Sequence, residues 1–426
     1  DGNIHCQTSI TEILEKKPYS YQIINNQTIP RKCSYKLIEN QISFVFPEGY
    51  DENYELIIDP TLEFSTYSGS LADNFGYTAT YDQLGNLYSG STVFSIGYPT
   101  SLGAYDTIYN NSVSGTDIAI TKYDTTGTQR IYSTYLGGSK DELPHSLVVN
   151  TNNELFVFGT TGSSDFPTLS SSYQSIFNGG PNFAPSGIGV SFPDGTDLFV
   201  SRLSNNGSDL LSSTYIGGTG NDGLNTSSIL KYNYADEVRG EIDIDKNNNI
   251  YIATSTYSKD FPTVNSFQNT KNGGQEGCII KMDNQLTSII WSSYLGGNKD
   301  DAIYSLAFDE ENNIYVTGGT NSEDFPVTQN AYQLIYQDSV NADAFVTKIS
   351  ALGNYIMHST YYGTNEYDQS YFIEYSSKDL VYLLGQTESQ SSSMINNASY
   401  YNTGSSQFIV AFSKNLSTIN KSTVVG

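Results

Sequence analysis

The sequence predicts an all-β fold: a β-propeller of four-stranded antiparallel blades preceded by a small β-rich domain. Three observations predict it. One block of sequence recurs five times, each recurrence holds four short strand signals, and the third strand of each is apolar at consecutive positions.

The recurring block opens on a version of Ser-Thr-Tyr-x-Gly-Gly, at Ser65–Ser70, Ser133–Gly138, Ser213–Gly218, Ser292–Gly297 and Ser359–Thr364, with a sixth opening at Ser422. The openings stand 63 to 80 residues apart. A period of that length marks one supersecondary unit stacked on copies of itself, and it exceeds the short coils of a β-solenoid. The abundance of Tyr (35) and Gly (37) suits short strands joined by tight turns.

The fourth unit shows the anatomy most clearly. Ala302–Phe308 reads as a strand, Asp309 to Asn313 as a turn, and Ile314–Gly318 as the returning strand. A long loop through Asp324-Phe325-Pro326 leads to a third strand, Ala344–Ile349. The turn at Ala351 to Asn354 then leads to a fourth, Tyr355–Tyr361. The third strands Asp117–Ile120, Asp197–Val200 and Gln407–Val410 recur in the same place. A strand apolar on both sides belongs to a sheet covered on both faces, as a blade wedged between two blades is.

Residues 1–60 read as the β-rich domain and 61–426 as the propeller repeats. Thr8 to Lys17 is the one stretch with helical periodicity. Leu62–Tyr67 reads as a fourth-type strand without partners of its own. It fits the outer strand of a last blade, so the five units are expected to be part of a larger ring of about seven blades. The rival reading takes a sixth blade from Tyr19 to Ile58. The chain does not begin with Met and shows no signal peptide, and reads as a piece of a longer polypeptide.

STYLGG, an Asp/Asn-rich hairpin followed by Ile-Tyr-Val-Thr-Gly, and Ser-x-Asp-Phe-Pro together resemble the SBBP β-propeller repeat of bacterial cell-surface proteins. The last element stands at Asp165-Phe166-Pro167, Asp260-Phe261-Pro262 and Asp324-Phe325-Pro326, and is missing from units one and five. Residues around Pro18–Gln22 and Leu56–Leu62 are similar to the small β domain that precedes such repeats. The resemblance implies a secreted protein associated with the outer membrane of gliding Gram-negative bacteria. It further implies type IX secretion cargo linked to gliding motility, with other domains of the same longer polypeptide.

Composition excludes some functions. Asp and Glu number 45 against 20 Lys and Arg, a formal charge of −25, which repels a phosphate backbone and argues against nucleic-acid binding. No apolar run reaches the length of a membrane span. Cys6 and Cys33 are a candidate disulfide, while Cys278 sits in an apolar strand. His5, His145 and His358 are scattered, and no nucleophile elbow, phosphate loop, dinucleotide fingerprint or zinc motif occurs, so no catalytic residue is nominated.

Two insertions, Ser171–Thr196 and Leu224–Gly240, fall on the long-loop rim of the expected propeller. They carry Tyr173, Phe177, Phe183, Phe192, Tyr232, Tyr234, Asp236, Glu237 and Arg239, an aromatic and polar set suited to a protein or glycan ligand. The competing reading folds these loops over their own blades. Acidic residues recur after the Gly-Gly: Asp73, Asp141 with Glu142, Asp222, Asp300 with Asp301, and Asp368. They are candidates for a calcium-holding rim, or for bonding to loop amides. Asp243, Asp245, Asn247 and Asn249 imitate a calcium loop without its Gly and distal Glu. Asp106-Thr107-Ile108, Asp124-Thr125-Thr126 and Asp338-Ser339-Val340 match a short O-glycosylation acceptor pattern.

Three functions are compatible with this reading. They are a non-catalytic interaction or adhesion scaffold binding protein or glycan, a polysaccharide-active enzyme or its substrate-binding domain, and an architectural segment of a giant surface protein.

Overall fold

The computed structural model describes residues 2–7, 12–38, 41–59, 65–111, 115–185, 189–337, 340–390 and 392–426. It divides into two compact units, Asp1–Thr66 and Tyr67–Gly426.

The first unit is built from small sheets. Ile4–Gln7 pairs with Glu12–Glu15, Tyr19–Ile24 lies between Gln27–Arg31 and Leu56–Asp59, and Ser34–Ile38 pairs with Gln41–Val45. The expected helical periodicity near Thr8 to Lys17 gives way to the strand Glu12–Glu15, because backbone pairing with Ile4–Gln7 outweighs a weak local preference. Residues 19–59 form a three-stranded sheet and a separate hairpin, not a four-stranded blade. Cys33 is buried and free, so the candidate disulfide with Cys6 is not formed; the side chain of Cys6 lies outside the described residues.

The second unit holds five sheets, each of four antiparallel strands in simple sequential order. Blade one comprises Asn74–Tyr81, Leu87–Val93, Asp117–Tyr123 and Arg130–Leu136. Blade two comprises Glu142–Val149, Leu155–Thr161, Asp197–Leu203 and Leu210–Ile216. Blade three comprises Glu241–Ile244, Ile250–Thr256, Glu276–Met282 and Ile289–Leu295. Blade four comprises Asp301–Phe308, Ile314–Thr320, Asp343–Ile349 and Ile356–Tyr362, and blade five Asp368–Ser376, Leu380–Thr387, Gln407–Ser413 and Ile419–Val425. Of the stretch Leu62–Tyr67, residues 62–64 lie outside the described residues and residues 65–67 have no regular structure.

Apolar burial holds the blades side by side. Ile118, Ile120, Leu155, Val157 and Phe199 form a core between blades one and two. Phe156, Val200, Ile252 and Ile280 do so between two and three, Tyr251, Ile279, Val316 and Phe345 between three and four, and Tyr315, Val346, Phe408 and Val410 between four and five. Among the described residues no such cluster joins blade five to blade one. There the sheets keep bare faces: Phe372 is 55% exposed and Ile409 38%, while Phe75 is 61% and Tyr81 75% exposed. The arc of blades is open on that side.

Candidate functional site: the central channel

The repeat's own polar residues are consumed by the fold. The Tyr of Ser-Thr-Tyr is buried on the fourth strand and donates its hydroxyl to a loop carbonyl. Tyr215 reaches Ser163 O, Tyr294 reaches Ser258 O and Tyr361 reaches Ser322 O, each at 2.8 Å. The Phe of Asp-Phe-Pro packs on that ring: Phe166, Phe261 and Phe325 lie 6.2, 6.2 and 6.0 Å from Tyr215, Tyr294 and Tyr361. The Asp before it reaches back to the loop entering its own blade. Asp165 Oδ1 accepts from the Ser139 amide, Asp260 Oδ1 from Thr219 and Asp324 Oδ1 from Asn298 at 2.9, 2.9 and 2.8 Å.

The acidic residues after the Gly-Gly fall into two sets rather than one rim. Glu142, Asp222, Asp301 and Asp368 are fully buried, and each accepts from the amide four residues earlier: Gly138 at 3.0 Å, Gly218 at 2.9 Å, Gly297 at 2.8 Å and Thr364 at 2.6 Å. Asp141 instead accepts from Thr116 and Ser191 amides at 2.7 and 2.6 Å, and Asp300 from the Gln275 amide at 3.0 Å. Asp73 is exposed. Among the described residues no group of three or more His, Cys, Asp or Glu is arranged to hold a metal ion. Asp245, of the calcium-like stretch, caps its hairpin through the Asn247 and Asn249 amides at 2.9 Å and pairs with Lys281 at 3.4 Å.

Glu142, Asp222 and Asp301 each face a second acid at the start of a third strand, Asp117, Asp197 and Glu276, across the first glycine of the Gly-Gly. At Gly217 a Cβ would lie 2.5 Å from Asp197 Oδ1 and 2.7 Å from Asp222 Oδ2, so only glycine fits between them. Burial first, then the charge of neighbouring carboxylates, pushes Asp197 up to about 7 and Asp222 and Asp301 up to about 8.

The insertions fold inward. Tyr173 packs against the core between blades two and three, and Phe177 lies 5.8 Å from Tyr215. Phe183 and Phe192 form an antiparallel bridge, with Phe192 fully buried. These four serve packing, contrary to the expectation of a ligand-facing set, because their blades offer apolar surface the rings can cover. Tyr232 remains 48% exposed and lies 5.2 Å from Tyr367. The side chain of Tyr234 lies outside the described residues. Asp236 is buried and accepts from the Tyr232 and Asn233 amides at 3.0 and 2.9 Å and from the Tyr371 hydroxyl at 3.2 Å. Arg239 Nε lies 3.5 Å from Asp236 Oδ1, and its guanidinium sits 4.7 Å above the Tyr371 ring. Glu237 pairs with Lys231.

These contacts carry Leu224–Gly240 across the axis of the arc. Asn225 donates to Tyr304 of blade four at 2.8 Å and Asp236 meets Tyr371 of blade five. Leu224 and Val238 share a cluster with Leu143 of blade two, against which Tyr77 of blade one packs. The insertion closes the end of the channel at which the innermost strands begin.

Below it lies a cavity of about 810 Å³ lined by the first strands of all five blades. In four of them a bulge interrupts the pairing, and the extra residue is Tyr77, His145, Tyr304 or Tyr371. All four line the cavity, the usual effect of a bulge being to re-aim a side chain. The next two alternate positions along these strands, in the wall except for Ala307, break the symmetry. Thr78, Ser146, Ser305 and Phe372 correspond to Glu241 in blade three, and Thr80, Val148 and Ala307 correspond to Asp243 and Glu374. Burial first, then the mutual repulsion with Asp243 and Glu374, pushes Glu241 up to about 7; burial and the Glu374 charge push Asp243 up to about 6. Glu241 accepts from the Leu306 amide at 2.7 Å. His145, 8% exposed, is held neutral by burial, at about 3.

Residues 290–326 match the family model described as a β-propeller repeat, SBBP, and residues 1–61 match a domain of unknown function. No curated protein matches the sequence. Among solved structures, a protein of unknown function from Dyadobacter fermentans is 11% identical, with 85% of each chain covered and a TM-score of 0.38. The NanB sialidase of Streptococcus pneumoniae is 9% identical over 84% of this chain and 62% of its own, with a TM-score of 0.43. An ulvan lyase is 10% identical over 83% and 73%, with a TM-score of 0.38. At these values none of them bears on activity or ligand. The second unit is a β-propeller of four-stranded blades, and the stretch that matches the SBBP repeat runs from the last strand of blade three into blade four.

Proposed function

We propose that this chain is a non-catalytic interaction scaffold that works outside the cell, at a bacterial surface, and binds a protein or glycan partner. One observation carries the reading: the polar residues of the repeat spend their hydrogen bonds inside their own blades, and the cavity wall presents unlike residues at equivalent positions. A rigid scaffold whose symmetry breaks at one cavity is the arrangement of a binding site. Export as type IX cargo accords with the kind of surface protein the repeat resembles. The bare sheet faces of blades five and one accord with further repeats completing a larger ring. The test is binding of the purified chain to bacterial envelopes and to a glycan array. Binding weakened by Tyr232→Ala or by Glu241→Gln is expected, and no binding to either surface refutes the scaffold.

A second reading rests on Glu241 and Asp243, two carboxyls in one cavity with near-neutral titration, as a general acid and its partner require. On that reading the chain cleaves a polysaccharide. Release of sugar ends that disappears in Glu241→Gln would establish it, and inactivity across a polysaccharide panel would leave the scaffold.

A further inference from the structure

We propose that a second cavity, where the loops of blades one and two meet, binds a sugar ring at the end of a glycan through its neighbouring hydroxyls. The proposal rests on the scaffold reading, gives it a ligand class, and adds a site away from the channel.

Blades one to four each hold one residue at the same place in the loop before the third strand. Its backbone amide donates to a hydroxyl of the fourth strand: Asp106 to Thr134, Gln174 to Thr214, Gln268 to Ser293 and Gln333 to Thr360, at 2.8–2.9 Å. In blades two, three and four that residue is a glutamine, and its side-chain amide works in both directions. The oxygen accepts from the first glycine of the Gly-Gly, Gly217, Gly296 or Gly363, at 3.1–3.2 Å. The nitrogen donates to the acid that opens the third strand, Asp197, Glu276 or Asp343, at 2.8–3.2 Å.

Blade one departs from this pattern. Asp106 is one methylene shorter, and its two oxygens turn to the Ile108 amide at 2.8 Å and to Asn110 Nδ2 at 2.6 Å. Gly137 and Asp117 therefore go without the glutamine amide that their counterparts receive. Asp117 is fully buried, its Oδ1 lies 2.9 Å from where a Cβ on Gly137 would stand, and that Oδ1 has no hydrogen-bond partner. Asp106 and Gly137, the two ends that a glutamine spans elsewhere, border a cavity of about 270 Å³ together with Tyr105, Asn110, Gly138 and Asp165. Asn110 and Asp165 are exposed, so a ligand enters from solvent.

What the substitution removes selects the occupant. Relative to its counterparts, blade one lacks an acceptor for the Gly137 N–H and a donor for a carboxylate. An ammonium only donates and a metal ion only accepts electron pairs, whereas a hydroxyl does both. Neighbouring hydroxyls on one ring also meet Asp106 and Asp165, which accept, and the Asn110 amide, which donates and accepts. The volume lies near the lower end of ligand-pocket sizes, about 300 Å³, and suits one ring rather than a longer chain. Tyr105 adds an aromatic face for the C–H side of that ring.

Saturation-transfer NMR and calorimetric titration of the full chain with methyl glycosides of glucose, galactose, mannose and fucose test the site. Wild type is expected to bind at least one of them. Asp106→Gln restores the residue of the other blades and plugs the cavity. It is expected to weaken that binding roughly tenfold or more, with a melting temperature no lower than wild type. Asn110→Ala, at an exposed wall position, is expected to weaken it several-fold. Glu52→Gln, the same charge change at an exposed position of the N-terminal unit, is expected to leave it unchanged. No glycoside bound by wild type, or full affinity kept in Asp106→Gln, overturns the site. Calcium that raises the melting temperature of wild type and not of Asp106→Gln, with no glycoside bound, puts a cation there and overturns the proposal. Envelope binding that persists while every glycoside fails removes this site and leaves the scaffold reading standing.

Discussion

Asp222→Asn tests the buried acid pairs that separate neighbouring blades. In the unfolded chain Asp222 ionises near its ordinary value of about 4, whereas in the folded chain burial pushes it up to about 8. Between those limits the folded state keeps a proton that the unfolded state has released. Stability from this carboxyl is therefore full below about pH 4 and is lost as the pH rises, by about 1.4 kcal/mol per pH unit, until about pH 8. Over pH 5 to 8 that is about 4 kcal/mol for one group. An asparagine imitates the protonated acid: its carbonyl accepts from Gly218 N and Ser258 Oγ, which lie 2.9 Å from Asp222 Oδ2, and its amide donates to Thr256 Oγ1. Urea unfolding at pH 5, 6.5 and 8 reads the effect. The wild type is expected to lose stability toward pH 8, and the variant to lose about 4 kcal/mol less over the same range. Parallel stability curves for the two proteins refute the account. Asp82, Asp245 and Asp309, whose carboxyls amides and lysines hold below their usual range, act only under acid conditions and do not disturb this window.

Three further outcomes follow from the same contacts. Tyr294→Phe removes the hydroxyl that donates to Ser258 O and accepts from Phe261 N at 3.1 Å, and is expected to cost about 1–2 kcal/mol in chemical denaturation. Phe325→Ala opens a void beside Phe345 and Tyr361, whose rings lie 4.4 and 6.0 Å away, and is expected to cost about 3–5 kcal/mol by the same measurement. Lys348→Met strands Asp309, buried and 2.8 Å from the lysine Nζ, and is expected to cost about 3 kcal/mol at neutral pH, with most of the loss recovered in Lys348→Met combined with Asp309→Asn.

The blades were legible because their signal is local and repeated. Ile314–Thr320 and Asp343–Ile349 begin within a residue of where strand patterning and turn residues place them. The site was less legible for two reasons. Aromatic residues in the insertions looked available for a ligand, yet Phe192 and Phe177 are drawn onto apolar blade surface that no linear pattern reveals. The channel wall depends on register: Glu241 and Glu374 become visible as oddities only when the first strands are aligned through their bulges. A signal for the bulges was present. Tyr304 and Tyr371 each stand three residues beyond the acid that follows the glycines, at Asp301 and Asp368, and His145 stands at the same distance from Glu142. In unit three the insertion begins inside that interval, which links the missing bulge of blade three to the segment that crosses the axis.

A stack in which each module touches only its neighbours melts piecemeal, since losing one end leaves the rest undisturbed. Leu224–Gly240 reaches side chains from every sheet of the arc, so it acts as a hub. Through it the ends of the array share free energy that nearest-neighbour contacts never exchange. The consequence is a propeller unit that unfolds as a single cooperative body, and whose outermost modules feel a change made at its axis.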